Sequence, residues 1–163
     1  MKYIKLILLI IIVLGIFILI YNNKDQISTK SNKTIIEKKE DEVLKDKLII
    51  KVNDYELTAT LLDNSSCKAL IEKLDEGDIT INMHDYGNFE KVGELGFSLP
   101  VNDQDIKTEP GDLILYLGNN FSIYYDTNNW KLTRLGKIDD INQDELKNIL
   151  GDSDITITLS IKH

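Results

Sequence analysis

The residues best suited to chemistry lie together in the stretch 79–100. Within seven positions this stretch holds an imidazole, two carboxylates, an amide and two aromatic rings, carried by His84, Asp85, Tyr86, Asn88, Phe89 and Glu90. His84 beside Asp85 has the composition of a general base with an orienting carboxylate, because a carboxylate fixes the tautomer of an imidazole. Adjacent residues of a strand point to opposite faces of a sheet, however, so we expect the two side chains not to share a pocket. The pattern therefore favours a structural His84, and the sequence identifies no catalytic residue.

Arg134, the single arginine, and a set of aromatic residues are the candidates for ligand binding. The guanidinium can bind a ligand carboxylate, or it can pair internally with Glu90 or Asp112. The aromatic rings can line a groove for an extended peptide or pack in the core. We predict a groove in which Tyr86 and Glu90 face Trp130 and Arg134. The predicted ligand-binding residues are His84, Tyr86, Phe89, Glu90, Tyr116, Trp130 and Arg134.

Metal and cofactor sites are not expected. A metal site needs three or four converging ligands, whereas His84 is the one usable histidine and Cys67, the single cysteine, is remote from it. The chain has neither a glycine-rich phosphate loop nor a serine nucleophile elbow. We therefore predict no metal and no cofactor, and we expect Cys67 to be a half-buried structural thiol.

Charge is unevenly distributed along the chain. Residues 1–21 carry +2 and residues 22–46 are neutral. Residues 47–163 hold eleven Lys and Arg against twenty-one Asp and Glu, a charge of −10, which leaves the whole chain at −8. A domain of that charge repels nucleic-acid phosphates, so we predict that the protein does not bind nucleic acid.

Residues 1–21 have the character of a membrane segment. Its central residues 6–20 have no polar side chain, and with the flanking residues the apolar stretch approaches the ~20 residues that span a bilayer. Bulky residues follow where a cleavage site needs small ones, so we predict an uncleaved transmembrane signal-anchor; cleavage and secretion are the alternative. Lys2 and Lys5 favour a cytoplasmic amino end. The rest of the chain is then expected on the extracytoplasmic side of the cell membrane, held by a single pass.

Residues 22–46 and 47–163 differ in pattern. The first segment is charged and has no aromatic ring, so it is predicted to be a disordered linker. The second shows period-two alternation in seven or eight segments, which predicts a mainly β domain in the form of a barrel or sandwich. Cap residues predict two short helices, one ending near Leu74 and one at Gln143–Leu150. Residues 79–83 are predicted as a strand that leads into a polar loop, and residues 101–109 as a polar connection.

Four runs in order resemble the bacterial cyclophilin-like fold proteins. They are HDYGNFE at 84–90, LGFSLP at 95–100, TEPGDLILY at 108–116, and Asn129-Trp130 followed by TRLGKI at 133–138. The resemblance covers about residues 47–162. It implies a cyclophilin-like closed eight-stranded barrel. Together with the two short helices and the transmembrane segment that the residues themselves predict, this gives a mainly β barrel domain preceded by one N-terminal transmembrane helix.

The resemblance does not carry an activity. Cyclophilin prolyl isomerases of the eukaryotic type have a Phe-His-Arg strand followed by Phe-Met-x-Gln-Gly-Gly-Asp, and neither run occurs here. We therefore predict a membrane-tethered domain that binds a peptide, a protein segment or a small ligand without conventional isomerase residues. The alternatives are a peptidyl-prolyl isomerase with an altered site and a non-catalytic scaffold of the cell envelope.

Overall fold

The computed structural model describes residues 42–163. The predicted membrane segment at residues 1–21 lies outside the described residues, as does the predicted linker up to residue 41. Among residues 42–163, no helix is long and apolar enough to cross a membrane. The signal-anchor helix and its orientation therefore remain predictions.

The described residues form strands and helices over most of their length. In chain order these are β1 (Val43–Val52), β2 (Tyr55–Leu62), α1 (Ser65–Glu76), β3 (Ile79–Tyr86), β4 (Glu90–Glu94), β5 (Gln104–Lys107), β6 (Asp112–Tyr116), β7 (Asn120–Tyr124), β8 (Asn129–Ile138), α2 (Gln143–Leu150) and β9 (Ile155–Lys162). Strand β1 includes residues 43–46, which their composition assigns to the end of the linker. Val43 pairs with Leu62 across a bulge, and this pairing extends the strand beyond its apolar part.

Eight of the described strands close into an antiparallel barrel. They follow the order β2-β1-β9-β3-β4-β7-β6-β8, and a ladder between β8 and β2 closes the ring. Strand β5 stands outside the ring and pairs with the first part of β8. The structure thus confirms a mainly β fold with a closed eight-stranded barrel and two helices. The prediction of a polar connection was wrong at residues 104–107, which form β5. The strand was missed because Ile106 is its one apolar residue, so its sequence resembles that of a loop.

Alternate residues of each strand fill the barrel. On β6, Leu113 and Leu115 point inward and are fully buried, while Ile114 between them belongs to a different cluster. Leu70 of α1 and Leu146 of α2 join the same interior core. The helices therefore contribute to the core through their apolar faces, as amphipathic helices do.

A second, smaller apolar cluster lies on the outer face of the barrel. Ile114, Tyr124 and Leu132 form its buried part and join β6, β7 and β8. Phe89, from the turn between β3 and β4, and Ile106, from β5, pack against it. The outer cluster is relevant to the predicted site because β6 and β8, which carry it, also carry Tyr116, Trp130 and Arg134.

The ladder that closes the barrel brings two backbones unusually near each other. Gly136 of β8 pairs with Leu61 of β2. A Cβ at Gly136 would overlap the carbonyl oxygen of Thr60 and lie 3.1 Å from the Cα of Leu61. Those are backbone atoms, which cannot rotate away as a flexible side chain does. Glycine is therefore required here for space.

We expect Gly136→Ala to lower the free energy of unfolding by about 1–3 kcal/mol, because the added methyl overpacks the closing ladder. Urea unfolding of the full chain measures the change. Lys131→Ala is the matched control, since Lys131 lies exposed on the same strand and its loss should change stability little. Equal stability of the two variants would show that the ladder can move apart without cost.

Candidate ligand-binding site

The stretch from His84 to Glu90 forms a β-hairpin. Strand β3 continues to Tyr86, which pairs with Glu90 of β4, and His84 pairs with Val92. Between the strands Gly87 and Asn88 have positive φ, which a tight turn requires. The prediction of a polar loop from residue 84 was therefore wrong, because cross-strand pairing keeps these polar residues in the ladder.

The hairpin separates His84 from Asp85, as strand alternation predicts. His84 lies on the outer face of the barrel, where it lines a cavity with Tyr86 and Glu90. Asp85 turns the other way, accepts a hydrogen bond from the hydroxyl of Tyr125 and lies 3.4 Å from the Lys91 ammonium. Asp85 therefore cannot orient His84 as a general base, because the two side chains point to opposite faces of the strand.

One cavity of about 550 Å³ collects most of the predicted binding residues. Six of the seven line it: His84, Tyr86, Phe89, Glu90, Tyr116 and Trp130. Five further residues, which the sequence did not predict for the binding site, also line the cavity: Val92, Asn120, Tyr124, Asn128 and Leu132. Val92 and Leu132 follow Glu90 and Trp130 by two positions, so strand periodicity was a usable signal for them. Asn120 and Asn128 reach the cavity through the pairing of β7 and the loop after it, which no local pattern reveals.

Aromatic rings form one side of the cavity. Tyr86 meets Phe89 edge to face at 6.0 Å between ring centroids, and Phe89 stacks with Tyr124 at 5.7 Å. Such pairs hold rings in fixed orientations and add stability beyond the area they bury. Tyr86 is 59 % exposed and Trp130 60 % exposed, so both offer ring surface to a partner. The inner rings are therefore packed and the outer rings are available.

Glu90 is a buried carboxylate in this aromatic surrounding. It is 8 % exposed, and among residues 42–163 no Lys, Arg or His nitrogen lies within the 4.0 Å of an ion pair with it. Burial raises the pKa of Glu90 above its ordinary value, against opposing effects of the Ser122 and Tyr124 hydroxyls and of His84. Ser122 itself is fully buried, and its hydroxyl meets hydrogen-bond geometry with none of the described residues, although it lies near enough to lower that pKa. A buried acid without a counterion in a cavity is a common mark of a functional site.

Arg134 is the predicted binding residue that does not line the cavity. Its Nη2 lies 3.0 Å from Oδ2 of Asp112 and donates to the carbonyl oxygen of Lys107 at 3.1 Å. Burial raises the pKa of Asp112, and the charges of Arg134 and Lys137 oppose that rise. The expected groove with Arg134 opposite Glu90 is therefore wrong, whereas the internal pair with Asp112 is present. The reason is that Asp112 begins β6 beside β8, within reach of the guanidinium.

A polar network occupies the other face of the hairpin. Lys91 is fully buried, and its ammonium donates to the carbonyl oxygen of Ser153 at 2.9 Å while it faces Asp85. Burial alone would raise the pKa of Asp85, but the hydrogen bond from Tyr125 and the charge of Lys91 outweigh it and the pKa is lowered. Burial and the Asp85 carboxylate raise the pKa of Tyr125. The buried Lys91 ammonium has both a hydrogen-bond acceptor and a counterion, so we interpret this network as a structural one.

Neither Cys67 nor the acids of residues 42–163 form a metal site. The Cys67 thiol is fully buried in α1 and donates to the carbonyl oxygen of Leu135 at 2.9 Å. Burial raises the pKa of Cys67 to about 12, so the thiol is protonated and unreactive at neutral pH. Within the part of the chain that the structure describes, no group of three or more His, Cys, Asp or Glu could hold a metal ion.

Comparison with known proteins agrees with this architecture. The model of the cyclophilin-like family matches residues 50–162. The chain belongs to the cyclophilin-like family. The bacterial origin that the resemblance suggested stays a prediction.

A solved structure shares the fold. A hypothetical protein from Archaeoglobus fulgidus, determined in solution, is similar with a TM-score of 0.51 and 14 % identity, over 70 % of this chain and 92 % of that one. At that identity the likeness shows the fold alone. A search of curated proteins finds no match to the chain.

We expect Glu90→Gln to stabilise the protein at neutral pH by an amount on the order of 1 kcal/mol, because an uncompensated buried charge is removed. The raised pKa means that the folded state holds the Glu90 proton more tightly than the unfolded state. Stability should therefore fall as the pH rises from the ordinary Glu pKa of 4.5 through the raised value. The variant should lack that fall, and urea unfolding across this pH range measures it.

Glu94→Gln is the control, since Glu94 lies exposed on the same strand. It removes one negative charge without changing the cavity. A Glu90→Gln protein that is less stable than the wild type at neutral pH would mean that the carboxylate is well compensated in the fold.

Proposed function

We propose that the barrel is a binding module that takes an extended peptide segment or a small ligand in the aromatic cavity, without conventional isomerase chemistry. The observation that carries the proposal is the convergence of Tyr86, Tyr116 and Trp130, all exposed, on one concavity beside the buried Glu90. Exposed apolar surface gathered in one place marks an interaction site more often than scattered surface does. Aromatic side chains also give a large contact area at a low entropic cost.

A second concavity favours an extended ligand over a compact one. Trp130 also lines a space of about 480 Å³ with Ile106 and Lys107 of β5 and with Lys131 of β8. The tryptophan therefore borders both concavities. A peptide that crosses Trp130 would contact both concavities. It would have to be extended, which is the form in which peptides bind to sheets.

The alternative of a prolyl isomerase with an altered site rests on the carboxamides of the cavity. Isomerisation needs a polar group at the twisted amide within an apolar pocket, and no covalent step. Arg134 is paired with Asp112 and does not line the cavity. Asn120 and Asn128 do line it and carry N–H donors, so they are the groups that would have to act in its place.

We propose further that this module is tethered to the cell membrane by residues 1–21 and works on the extracytoplasmic side. The support is the sequence alone: an apolar segment preceded by Lys2 and Lys5 and followed by a charged linker. Secretion after cleavage, and a scaffold role without a ligand, are the competing outcomes.

We expect short peptides to change the fluorescence of Trp130 in a saturable way, because the single tryptophan borders the cavity. The test uses the full chain in zwitterionic lipid nanodiscs and a panel of blocked Ala-Xaa-Ala peptides, one for each amino acid at the centre. Tyr86→Ala should weaken binding by about tenfold or more, since aromatic anchors dominate such contacts. Tyr55→Ala removes a similarly exposed tyrosine that does not line the cavity and should leave binding unchanged.

The result that overturns the binding proposal is a panel in which no peptide saturates, or equal loss in both tyrosine variants. Conversion of a cis proline peptide no faster than in buffer removes the isomerase alternative. Faster conversion that is lost on Asn128→Ala favours it.

We expect the full chain to stay with the membrane fraction after an alkaline wash, and protease added from the outer side to degrade its barrel domain. A chain that begins at residue 22 should appear in the soluble fraction. Release of the full chain by the wash, or protection of its barrel, would contradict the predicted tether.

A further inference from the structure

We infer that the cavity recognises a positively charged side chain, so that the ligand is a basic peptide whose ammonium or guanidinium pairs with Glu90. This inference rests on the proposed binding function and names its ligand class. It follows from the contacts around Glu90 rather than from the resemblance to other proteins.

Glu90 lacks a counterion among the described residues. Glu90 is 8 % exposed and lines the cavity, and no Lys, Arg or His nitrogen of residues 42–163 lies within ion-pair distance of it. A buried carboxylate without a partner costs free energy, and a cation that arrives with a ligand offsets that cost. The site is thus complete in charge only when a cation occupies it.

Two candidate cations for Glu90, Lys91 and Arg134, each pair with another carboxylate. Lys91 follows Glu90 directly, but it points to the other face of β4 and pairs with Asp85. Arg134 is bound to Asp112. Since strand geometry directs both away, neither can move into the cavity without leaving its own carboxylate unpaired. His84 is the remaining nitrogen base that lines the cavity.

Aromatic rings line the cavity around Glu90. Tyr86, Phe89, Tyr116, Tyr124 and Trp130 line the same space as the carboxylate. The faces of such rings attract ammonium and guanidinium groups, most strongly with tryptophan. The methylene stem of a lysine or arginine also packs well on ring surfaces. Rings and acid together therefore select a long basic side chain over a small ion.

The charge of the whole domain acts in the same direction. Residues 47–163 carry −10, which raises the local concentration of cationic ligands and speeds their encounter. This long-range effect applies to the entire surface, so it cannot by itself identify the cavity. The experiment therefore has to separate Glu90 from the other acids.

The test compares four blocked peptides on the full chain in zwitterionic nanodiscs: Ala-Lys-Ala, Ala-Arg-Ala, Ala-norleucine-Ala and Ala-acetyllysine-Ala. Trp130 fluorescence reports binding. We expect the lysine or the arginine peptide to bind about tenfold more tightly than the two neutral peptides. Glu90→Gln should remove that advantage, so that the lysine and arginine peptides bind no more tightly than the norleucine peptide. Glu94→Gln removes the same charge from the same strand and should keep the advantage.

Each other outcome is decisive. If the neutral peptides bind as tightly as the basic ones, the binding module stands and the cationic ligand is overturned. If Glu90→Gln and Glu94→Gln weaken basic peptides equally, the preference comes from the general field and the inference is overturned. If no peptide binds at all, the proposed function fails first.

Discussion

Closure of the sheet through the β2–β8 ladder is the constraint on which the rest of the structure depends. The ladder joins Leu61 to Gly136 at a distance that leaves no space for a side chain between the backbones. A closed sheet has no free edge, so every strand of the ring has a fixed neighbour on each side. The alternation along each strand then decides which residues enter the core and which lie on the outer face.

The outer face is unusual because it carries its own apolar cluster. Ile114, Tyr124 and Leu132 are as well buried as the interior, yet they point away from it. Phe89 covers them, and this brings the β3–β4 hairpin against β7 and β8. The cavity is the space that remains beside this cluster. Its apolar walls are therefore an extension of packing, and its exposed rings are the part that packing leaves uncovered.

The two acids of the hairpin, Asp85 and Glu90, point to opposite faces of the sheet and differ in their partners. Asp85 turns inward, gains a phenol and an ammonium as partners, and its pKa falls. Glu90 turns outward among rings, gains no cation among the described residues, and its pKa rises. Both are partly or largely removed from water, so the difference lies in their partners. The fold supplies a partner cation to Asp85, and among the described residues it supplies none to Glu90.

Sequence alone determined the class of fold and much of the cavity. Period-two alternation predicted most of the strands, cap residues predicted both helices, which begin after Asn64 and Asn142, and six of seven proposed binding residues line one cavity. These succeed because strand and cap signals are local. The sequence also predicted that His84 and Asp85 point to opposite faces, since the alternation of side chains is a property of the strand itself.

Tertiary structure alone decided the pairings between distant residues. Sequence offered two partners for Arg134, and the pairing of β6 with β8 selected Asp112 over Glu90. Strand β5 was missed because a single apolar residue cannot mark a strand that is stabilised by its neighbour. The solitary charge of Glu90 was equally hidden, because whether a buried acid has a counterion depends on which strands meet. Local sequence patterns determine the face of a strand on which a side chain lies, and closure of the barrel determines which residues it pairs with.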